Sequence, residues 1–321
     1  MKIFITGGAG FVGAHVAGTL LDRGDEVVVL DDFSDLVYSA EFKKKRLKHV
    51  IGEHDKLTFI EGSLNDPVLL NRIFKNTKFD AVIHLAAHPN PKVSLSRAYE
   101  YSMVNELGTV SLLEAMKKAD VKRLIFAGSS SVYNDVQTPF DEAASDLRPQ
   151  APYGVSKLAA EHYCRIWHEL YGFDVTVLRF FTVYGEWGRP DMAPWIFAES
   201  ILNDKTIELS KDRQRDFTYI GDITRGVVKA VDTALSGFEI INLGRGKPVE
   251  LQYFVRCLAQ AAGKKVNIVD REAPAGEMRI TFAKVEKAKK LLQWEPEVSV
   301  EEGTQRLMIW LKEWHGSILK G

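Results

Sequence analysis

Short apolar runs alternate with amphipathic stretches through the first half of the chain. Five apolar runs have the length of buried strands: 3–6, 26–30, 57–60, 81–84 and 124–127. Between them, apolar residues recur at helical spacing over 12–21, 68–74 and 107–118. Such alternation favours a parallel sheet covered by helices on both faces, because right-handed crossovers return each strand to the same sheet. We therefore predict an α/β fold with a doubly wound parallel sheet of the Rossmann type.

The pattern changes in the second half of the chain. A long amphipathic run predicts a helix over 153–171, and an apolar run predicts a strand over 174–180. Glycine and proline then interrupt the pattern, and short strand-like and helix-like segments mix. We predict a dinucleotide-binding domain over residues 1–181 and a smaller mixed α/β lobe over residues 182–321 that mainly binds substrate. No linker rich in serine and glycine marks this boundary, so we expect the two parts to pack closely and exchange segments.

Charge and composition limit the partners that the protein can have. The 321 residues include 42 Lys and Arg against 43 Asp and Glu, a formal net charge of −1. This balance leaves no basic footprint for nucleic acid or an anionic membrane surface. The N-terminus runs straight into the first predicted strand, and no apolar stretch reaches the length of a membrane span. We therefore expect neither nucleic acid nor a membrane as a partner.

The cysteines and histidines suggest no metal. Cys164 and Cys257 lie far apart and outside any metal-ligand spacing, which fits a reducing cytoplasm and indicates neither a disulfide framework nor a zinc site. His84 and His88 have no third ligand at a recognisable spacing, so we predict structural polar roles for both and no bound metal. The basic run over 43–46 predicts a solvated helix face.

A glycine-rich segment joins the first predicted strand to the first predicted helix. Gly7, Gly10 and Gly13 have the G-x-x-G-x-x-G spacing. Glycines at these positions permit a tight turn and let the backbone approach a pyrophosphate at the helix N-terminus. A turn without a ligand and a mononucleotide site are the alternatives.

An acidic residue ends the second predicted strand. Asp31 lies where a carboxylate can accept a hydrogen bond from a ribose hydroxyl of a dinucleotide. Asp31 and Asp32 would repel a 2'-phosphate, and no Lys or Arg follows before Lys43. The sequence therefore favours NAD over NADP as cofactor.

A tyrosine and a lysine begin the long predicted helix. Tyr153 and Lys157 are one helical turn apart and project from the same face. A cation about 4 Å from the phenol would favour phenolate by roughly 4 kcal/mol in a site of effective dielectric near 20. By itself such a pair is common. The three hydroxyls at 129–131 follow a predicted strand at the edge where the cleft should lie, and they also fit a simple turn or cap.

Together these motifs resemble the extended short-chain dehydrogenases/reductases of the nucleotide-sugar epimerase and dehydratase group. The resemblance covers essentially the whole chain. It is carried by the glycine turn, the Tyr153/Lys157 pair, Asn105 and three further segments, His84–Ala87, Ser129–Tyr133 and Arg179–Gly185. It implies a homodimer through the helices of Leu107 and Tyr153.

The resemblance also implies a role for each matching residue. Ser129 would hydrogen-bond the sugar 4-hydroxyl, Tyr153 would take its proton, and Lys157 would hold the nicotinamide ribose and lower the tyrosine pKa. The implied cofactor is NAD, bound by Gly7, Gly10, Phe11, Val12, Gly13, Asp31, Asp32, Ser63, Leu64, Leu85, Ala86, Ala87, Asn105, Tyr153, Lys157 and Phe180. The implied substrate is a UDP-sugar, bound by Lys92, Ser129, Ser130, Ser131, Tyr153, Thr182, Arg189, Arg215 and Glu277.

Two positions after Ser129 discriminate among reactions of this group. Dehydratases carry an Asp-Glu pair there and UDP-glucuronate decarboxylases a Glu, whereas this chain has Ser130 and Ser131. Elimination of water needs a general acid and base, so their absence argues against dehydration. The run over 182–192 is similar to that of UDP-glucuronate 4-epimerases, in which an arginine matching Arg189 faces the C5 carboxylate. A UDP-glucose 4-epimerase and a non-catalytic NAD-binding sensor are the alternatives.

Overall fold

The computed structural model describes residues 1–133, 136–273 and 278–318, with side chains as far as residue 314. In these ranges the strands are, in chain order, β1 (Lys2–Thr6), β2 (Glu26–Asp31), β3 (Leu57–Glu61), β4 (Ala81–His84), β5 (Arg123–Ser129), β6 (Asp174–Phe180), β7 (Thr182–Tyr184), β8 (Ile207–Ser210), β9 (Gln214–Arg215), β10 (Phe217–Tyr219), β11 (Phe238–Leu243), β12 (Val249–Glu250), β13 (Ile268–Arg271) and β14 (Ile280–Thr281).

Helices connect most of these strands. The α-helices of the same ranges are α1 (Phe11–Asp22), α2 (Ala40–Arg46), α3 (Pro67–Asn76), α4 (Pro91–Ser94), α5 (Ala98–Tyr101), α6 (Gly108–Lys118), α7 (Pro152–Tyr171), α8 (Ala193–Leu202), α9 (Ile220–Thr233), α10 (Leu251–Ala262), α11 (Glu286–Leu292) and α12 (Val300–Ile318). Short π-helical turns follow α2 and α5, at Leu47–Ile51 and Ser102–Leu107, and a 3-10 turn follows β5 at Ser130–Val132.

Seven parallel strands form the central sheet, in the order β11-β6-β5-β4-β1-β2-β3. The order reverses between β1 and β4, which creates a crevice at the carboxyl ends of these strands. The predicted Rossmann-type, doubly wound α/β fold is confirmed. The five strands predicted in the first half all form, and β5 extends two residues beyond its predicted end because Gly128 and Ser129 pair with Arg179 and Phe180 of β6.

Side chains on the two faces of the sheet belong to two hydrophobic layers. Ile3 and Ile5 of β1 pack with α1 and α9 on one face, and Phe4 packs with α3, α6 and α7 on the other. The first layer continues into residues of α8, α10 and α12, among them Trp195 and Trp310. One core therefore joins the sheet to the rest of the chain.

The segment after residue 182 is shared between two structures. β7 pairs with β10, β8 with β13, and β9 lies between β12 and β14, which together make the smaller mixed lobe. By contrast, α9 packs on α1, and β11 pairs along the whole length of β6 in the central sheet. The chain thus returns to the large sheet after its predicted boundary, as the expected exchange of segments requires. The boundary after residue 181 stays a prediction.

The prediction of a solvated helix face over 43–46 is wrong for one residue. Lys44 is exposed, but the side chain of Arg46 is 0% exposed. The basic run spans a full turn of α2, so one of its four members must face the protein. That member is Arg46, whose nitrogens find carbonyl oxygens of two other segments.

Candidate active site

A cavity of about 980 Å³ lies at the carboxyl ends of the central strands and extends to the smaller lobe. Of the sequence-predicted site residues, those that line it are Gly7, Gly10, Phe11, Val12, Gly13, Asp31, Asp32, Ser63, Leu64, Leu85, Ala86, Ala87, Lys92, Ser129, Ser130, Ser131, Tyr153, Lys157, Phe180, Thr182, Arg189 and Arg215. Residues as far apart in the sequence as Gly7 and Arg215 therefore share one cavity, large enough for a dinucleotide and a second ligand.

Among the predicted residues that the structure describes, Asn105 does not line the cavity. Asn105 is buried behind it, where its amide oxygen accepts from the His88 nitrogen at 2.7 Å and its amide nitrogen donates to Ser156 at 2.9 Å. It braces the segment that carries His88, which does line the cavity. Glu277 lies outside the described residues.

The glycine turn has no room for larger residues. Gly7 has a φ of 73°, and a Cβ there would lie 2.5 Å from the backbone nitrogen of Ala86. A Cβ at Gly13 would lie 2.2 Å from the carbonyl oxygen of Gly7. α1 begins directly after this turn, with no side chain capping its first N–H groups. Those donors and the positive end of the helix dipole border the cavity, which is the arrangement that binds a pyrophosphate.

Asp31 serves both the turn and the cavity. It ends β2, is 8% exposed, and accepts from the backbone nitrogens of Ala9 and Phe33, each at 2.9 Å. Burial raises its pKa, while the charge of Lys43 and the two backbone donors act in the opposite direction. The residue that caps the glycine turn thus also lines the cavity.

Lys43 changes one argument for NAD. Although it is distant in sequence, the fold of α2 brings it into the cavity wall, where Nζ donates to the Ser34 carbonyl at 2.6 Å. This end of the cavity therefore contains a cation, although no Lys or Arg lies between Asp32 and Lys43 in the sequence. The choice of NAD rests on the acidic pair and on the family described below.

Ser129, Tyr153 and Lys157 all line the cavity. Ser129 is the last residue of β5, and its Oγ accepts from the Ser131 nitrogen at 3.1 Å. Tyr153 lies in the first turn of α7 and shares a hydrogen bond with Ser129. Lys157, one turn later, is 3% exposed, with Nζ 4.7 Å from the centre of the Phe126 ring. Two different elements therefore present a hydroxyl, a phenol and an amine to one point.

Burial opposes charge on both members of the Tyr153/Lys157 pair. It raises the pKa of Tyr153, while the hydrogen bond with Ser129 and the charge of Arg189 work against it. It lowers the pKa of Lys157 to about 8, although nearby Glu161 favours the charged form. In the protein without cofactor, burial is the largest influence on the pKa of Tyr153. The positive nicotinamide ring of a bound cofactor would supply the further charge.

An ion pair behind Lys157 escaped the sequence analysis. Glu161 extends the face of α7 by one more turn, and its Oε2 lies 2.6 Å from Nη2 of Arg179 on β6, with both side chains at most 3% exposed. A carboxylate four residues after a lysine on a helix is a signal for such a charge chain. It keeps a negative charge near Lys157 and thereby limits the loss of its proton.

Arg189 is held in the cavity wall by a second pair that the sequence analysis missed. Its Nε and Nη2 donate to the two carboxylate oxygens of Asp191 at 3.0 and 2.5 Å, and both side chains are about 15% exposed. The amide of Asn90 donates to the same carboxylate at 2.7 Å. Asp191 occupies one edge of the guanidinium and leaves the other edge for a ligand.

The remaining predicted groups lie at the edges of the cavity. Lys92 is exposed on α4, and Arg215 on β9 donates to the Gln214 carbonyl at 2.8 Å.

His84 is buried outside the cavity, where it forms hydrogen bonds with the hydroxyls of Thr6 and Thr109 and where burial lowers its pKa to about 3. Across the described residues, no three His, Cys, Asp or Glu side chains cluster as a metal site would require. None of the described helices is both long and apolar enough to cross a bilayer.

The Tyr153/Lys157 pair beside a glycine turn of a doubly wound sheet defines a class, the short-chain dehydrogenases/reductases that work with a dinucleotide. Within that class, the model of the NAD dependent epimerase/dehydratase family matches residues 3–244. The chain belongs to this family, and NAD is its cofactor.

Individual relatives of the chain include 4-epimerases of UDP-sugars. The chain is 39% identical to a UDP-glucuronate 4-epimerase of Thermodesulfobacterium geofontis, over 96% of this chain and 95% of that one. Its structure is similar to that of the UDP-glucuronic acid 4-epimerase of Bacillus cereus in complex with UDP-glucuronic acid and NAD, with a TM-score of 0.90, 32% identity and coverage of 98% and 99% of the two chains. It is also similar to the UDP-glucose 4-epimerase of Thermotoga maritima with UDP-glucose, with a TM-score of 0.88, 29% identity and the same coverage.

Proposed function

We propose that the protein is an isomerase that inverts C4 of UDP-glucuronate to give UDP-galacturonate, with NAD as a resident cofactor. The observation that carries the proposal is the presence of Arg189 in the same cavity as Ser129 and Tyr153. The relatives at 33–39% identity that act on UDP-glucuronate support the same substrate.

The residues fit NAD. The glycine turn lines the cavity with bare backbone, and the start of α1 has no side-chain cap. The α1 donors would therefore bind the pyrophosphate, and Asp31 and Asp32 in the cavity wall would face the adenosine ribose. When bound, NAD would supply the hydride acceptor for oxidation at C4 and, once reduced, the hydride donor for the opposite face of the 4-keto sugar. Lys157 would hold the nicotinamide ribose from α7.

Proton transfer falls to Tyr153 and Ser129. In this proposal Ser129 orients the sugar 4-hydroxyl at the end of β5, and the Tyr153 oxygen takes its proton as C4 is oxidised. The same phenol returns the proton when the alcohol forms again. Lys157 is buried and Tyr153 is partly buried in the cavity wall. A bound sugar and cofactor would cover the phenol, so that its proton would pass to and from the substrate rather than exchange with solvent.

Arg189 gives the site its preference for an acidic sugar. The edge of its guanidinium not used by Asp191 can pair with the C5 carboxylate, and the hydroxyls of Ser130, Ser131 and Thr182 can complete that shell without repelling it. Fixing the carboxylate also protects the intermediate, since a 4-keto uronic acid is a β-keto acid and can lose carbon dioxide. Arg215 and Lys92 would meet the diphosphate end of the substrate.

One observation favours a second substrate class. Asp191 already offsets the charge of Arg189, so a neutral C5 group such as the hydroxymethyl of UDP-glucose meets no unpaired cation there. Epimerisation of UDP-glucose is therefore the alternative function. The complete set of Ser129, Tyr153 and Lys157 in one cavity argues against a non-catalytic sensor.

We extend the proposal to a cytoplasmic homodimer. Both cysteines are free and buried, as in proteins that work in a reducing compartment. The outer face of α7 and the turns before α6 expose large apolar side chains that a second subunit would cover, among them Val155, Leu170, Tyr99 and Leu107.

The test is to incubate purified protein, without added NAD and then with it, with UDP-glucuronate, UDP-glucose or UDP-galactose and to identify the products by NMR. We expect C4 inversion of UDP-glucuronate. Tyr153→Phe should lower kcat at least about 100-fold, the scale of acid-base catalysis, with NAD still bound. Tyr253→Phe, which removes a phenol oxygen from an exposed site on α10, should leave kcat unchanged. Conversion of the neutral sugars alone would favour the alternative, and no conversion of any sugar would refute both.

A further inference from the structure

Arg46 has an environment that the proposed chemistry leaves unexplained. Its side chain is fully buried at the end of α2, and within the described part of the chain it forms no pair with a carboxylate. Its charge is met by dipoles and rings, because it donates to carbonyl oxygens and lies 4.8 Å from the Phe42 ring centre and 5.3 Å from that of Tyr38. A buried cation arranged in this way is costly unless each donor has a partner.

Arg46 donates to the Tyr38 hydroxyl at 3.0 Å, and its carbonyl partners come from two separate segments of the site. Nη1 donates to the carbonyl of Ala9, inside the glycine turn, at 3.0 Å. Nε and Nη2 donate to the carbonyls of Trp187 and Gly188 at 2.8 and 3.2 Å. These two residues immediately precede Arg189. One side chain therefore joins the turn that faces the cofactor to the loop that faces the sugar.

The loop before Arg189 needs external support. Trp187 has a φ of 55° and Gly185 a φ of 145°, which are conformations that L side chains rarely adopt. His49, in the turn after α2, stacks on the Trp187 ring at 5.3 Å with planes 9° apart. Arg46 and His49, three residues apart, thus hold this loop through its backbone carbonyls and through the Trp187 ring.

We propose that Arg46 is a positioning residue that fixes the backbone before Arg189 against the glycine turn, and so sets the preference for an anionic sugar over a neutral one. The identity of the sugar rests on the proposed function, whereas the fixing of the backbone does not. Arginine suits this task because its planar fork reaches three carbonyls at once. A lysine keeps the charge but offers one nitrogen on a flexible stem.

Two measurements test the proposal in Arg46→Lys. The first is hydrogen exchange of the protein alone, where we expect amides of 185–191 and of the glycine turn to exchange at least about tenfold faster, with other segments unchanged. The second is calorimetric binding to the Tyr153→Phe protein with NAD, in which no turnover intervenes. Adding Arg46→Lys should raise the Kd of UDP-glucuronate about tenfold and that of UDP-glucose less than about twofold.

The controls separate positioning from general stability. Lys44→Met changes an exposed cation of the same helix and should alter neither measurement. Arg46→Met keeps the apolar stem beside Phe42 without burying a charge, so it replaces Arg46→Lys should that variant fail to fold. We expect Arg46→Met to act in the same direction.

The outcomes are distinct. Unchanged exchange over 185–191 would overturn the positioning role, and equal weakening of both sugars would overturn its part in selectivity. Faster exchange in a protein whose parent binds no UDP-sugar would uphold the fixing of the loop and refute the proposed function instead.

Discussion

At the scale of single residues, Lys157 lies in surroundings that disfavour its charge. It is 3% exposed, it lies over the Phe126 ring, and burial lowers its pKa to about 8. Glu161 keeps that pKa from falling further. The amine is thus poised to change its charge with modest changes in its surroundings, such as the arrival of a cofactor.

This pKa predicts how stability depends on pH. Between about pH 8 and 10.5 the folded protein has lost the Lys157 proton that the unfolded chain still binds. The free energy of unfolding therefore increases as the pH rises through this window. The gain amounts to about 3 kcal/mol over that window. Chemical denaturation of cofactor-free protein from pH 7 to 10 measures it. In Lys157→Met this contribution should be missing, and identical pH dependence in the two proteins would contradict the assignment.

Sequence spacing predicted the candidate catalytic pair but not the residues that support it. Tyr153 and Lys157 are recognisable because a helix turn brings positions four apart together whatever surrounds the helix. Arg46, in contrast, looks like one more member of a basic run. Its carbonyl partners lie 37 to 142 positions away, so the basic run itself does not distinguish Arg46 from its exposed neighbour Lys44.

At the scale of elements, the loop between β7 and α8 decides how Arg189 is presented. Asp191 uses one edge of the guanidinium, and Asn90 from the start of α4 holds Asp191 in turn. Asn90 has a φ of 80°, and its side-chain oxygen accepts from the Lys92 and Val93 nitrogens. Asn90, which caps α4, thus also helps to set the geometry of the loop that carries Arg189.

We predict that Asp191→Ala raises the KM for UDP-glucuronate about tenfold, a cost of about 1.4 kcal/mol that is typical of one charge-assisted hydrogen bond. The loosened Arg189 should also let more of the keto acid lose carbon dioxide, so NMR should detect more UDP-4-ketopentose. Arg189→Ala should show the same products to a greater extent. No additional pentose from either variant would contradict the restraining role of Arg189.

Asp146 offers a matched control for this experiment. It pairs with Arg148 in the same two-bond arrangement and at the same sequence separation, but with both side chains more than 70% exposed. Exposed pairs contribute little. Asp146→Ala should therefore change neither KM nor the product ratio.

The ends of the helices and strands differ in how well the sequence predicts them. The start of α7 and the ends of β1 and β2 follow from turn residues and apolar runs. The extension of β5 to Ser129 does not, because those last residues are strand only through their pairing with β6. This extension is what aims Ser129 into the cavity.

At the scale of the whole molecule, an apolar stripe lies on the outer face of α7. Val155, Tyr163, Ile166 and Leu170 are 38–65% exposed and recur at helical spacing along a single side. The opposite face of the same helix carries Lys157 toward the cavity. A partner that covered the stripe would therefore pack directly against the helix of the candidate catalytic pair.

We predict that the protein is a dimer in solution and that Leu170→Glu raises its dissociation constant at least about tenfold, since it would bury a charge in an apolar contact. Analytical ultracentrifugation over a range of protein concentrations measures this. Ile309→Glu makes the same change at an exposed site on α12 and should have no effect. A monomer in the parent protein would rule out the predicted assembly.

The sequence alone determined the alternation of strands and helices and the glycine turn with Asp31. Both depend on periodicity within one element or on the rule that parallel strands end at the same edge of a sheet. The grouping of Ser129 with the Tyr153/Lys157 pair was implied by the resemblance of these motifs to a family. The tertiary structure alone decided which cation of α2 is buried, that Asp191 holds Arg189, and that β11 returns to the central sheet. These features depend on which distant carbonyls, carboxylates and strand edges become neighbours, and only the packed chain settles that.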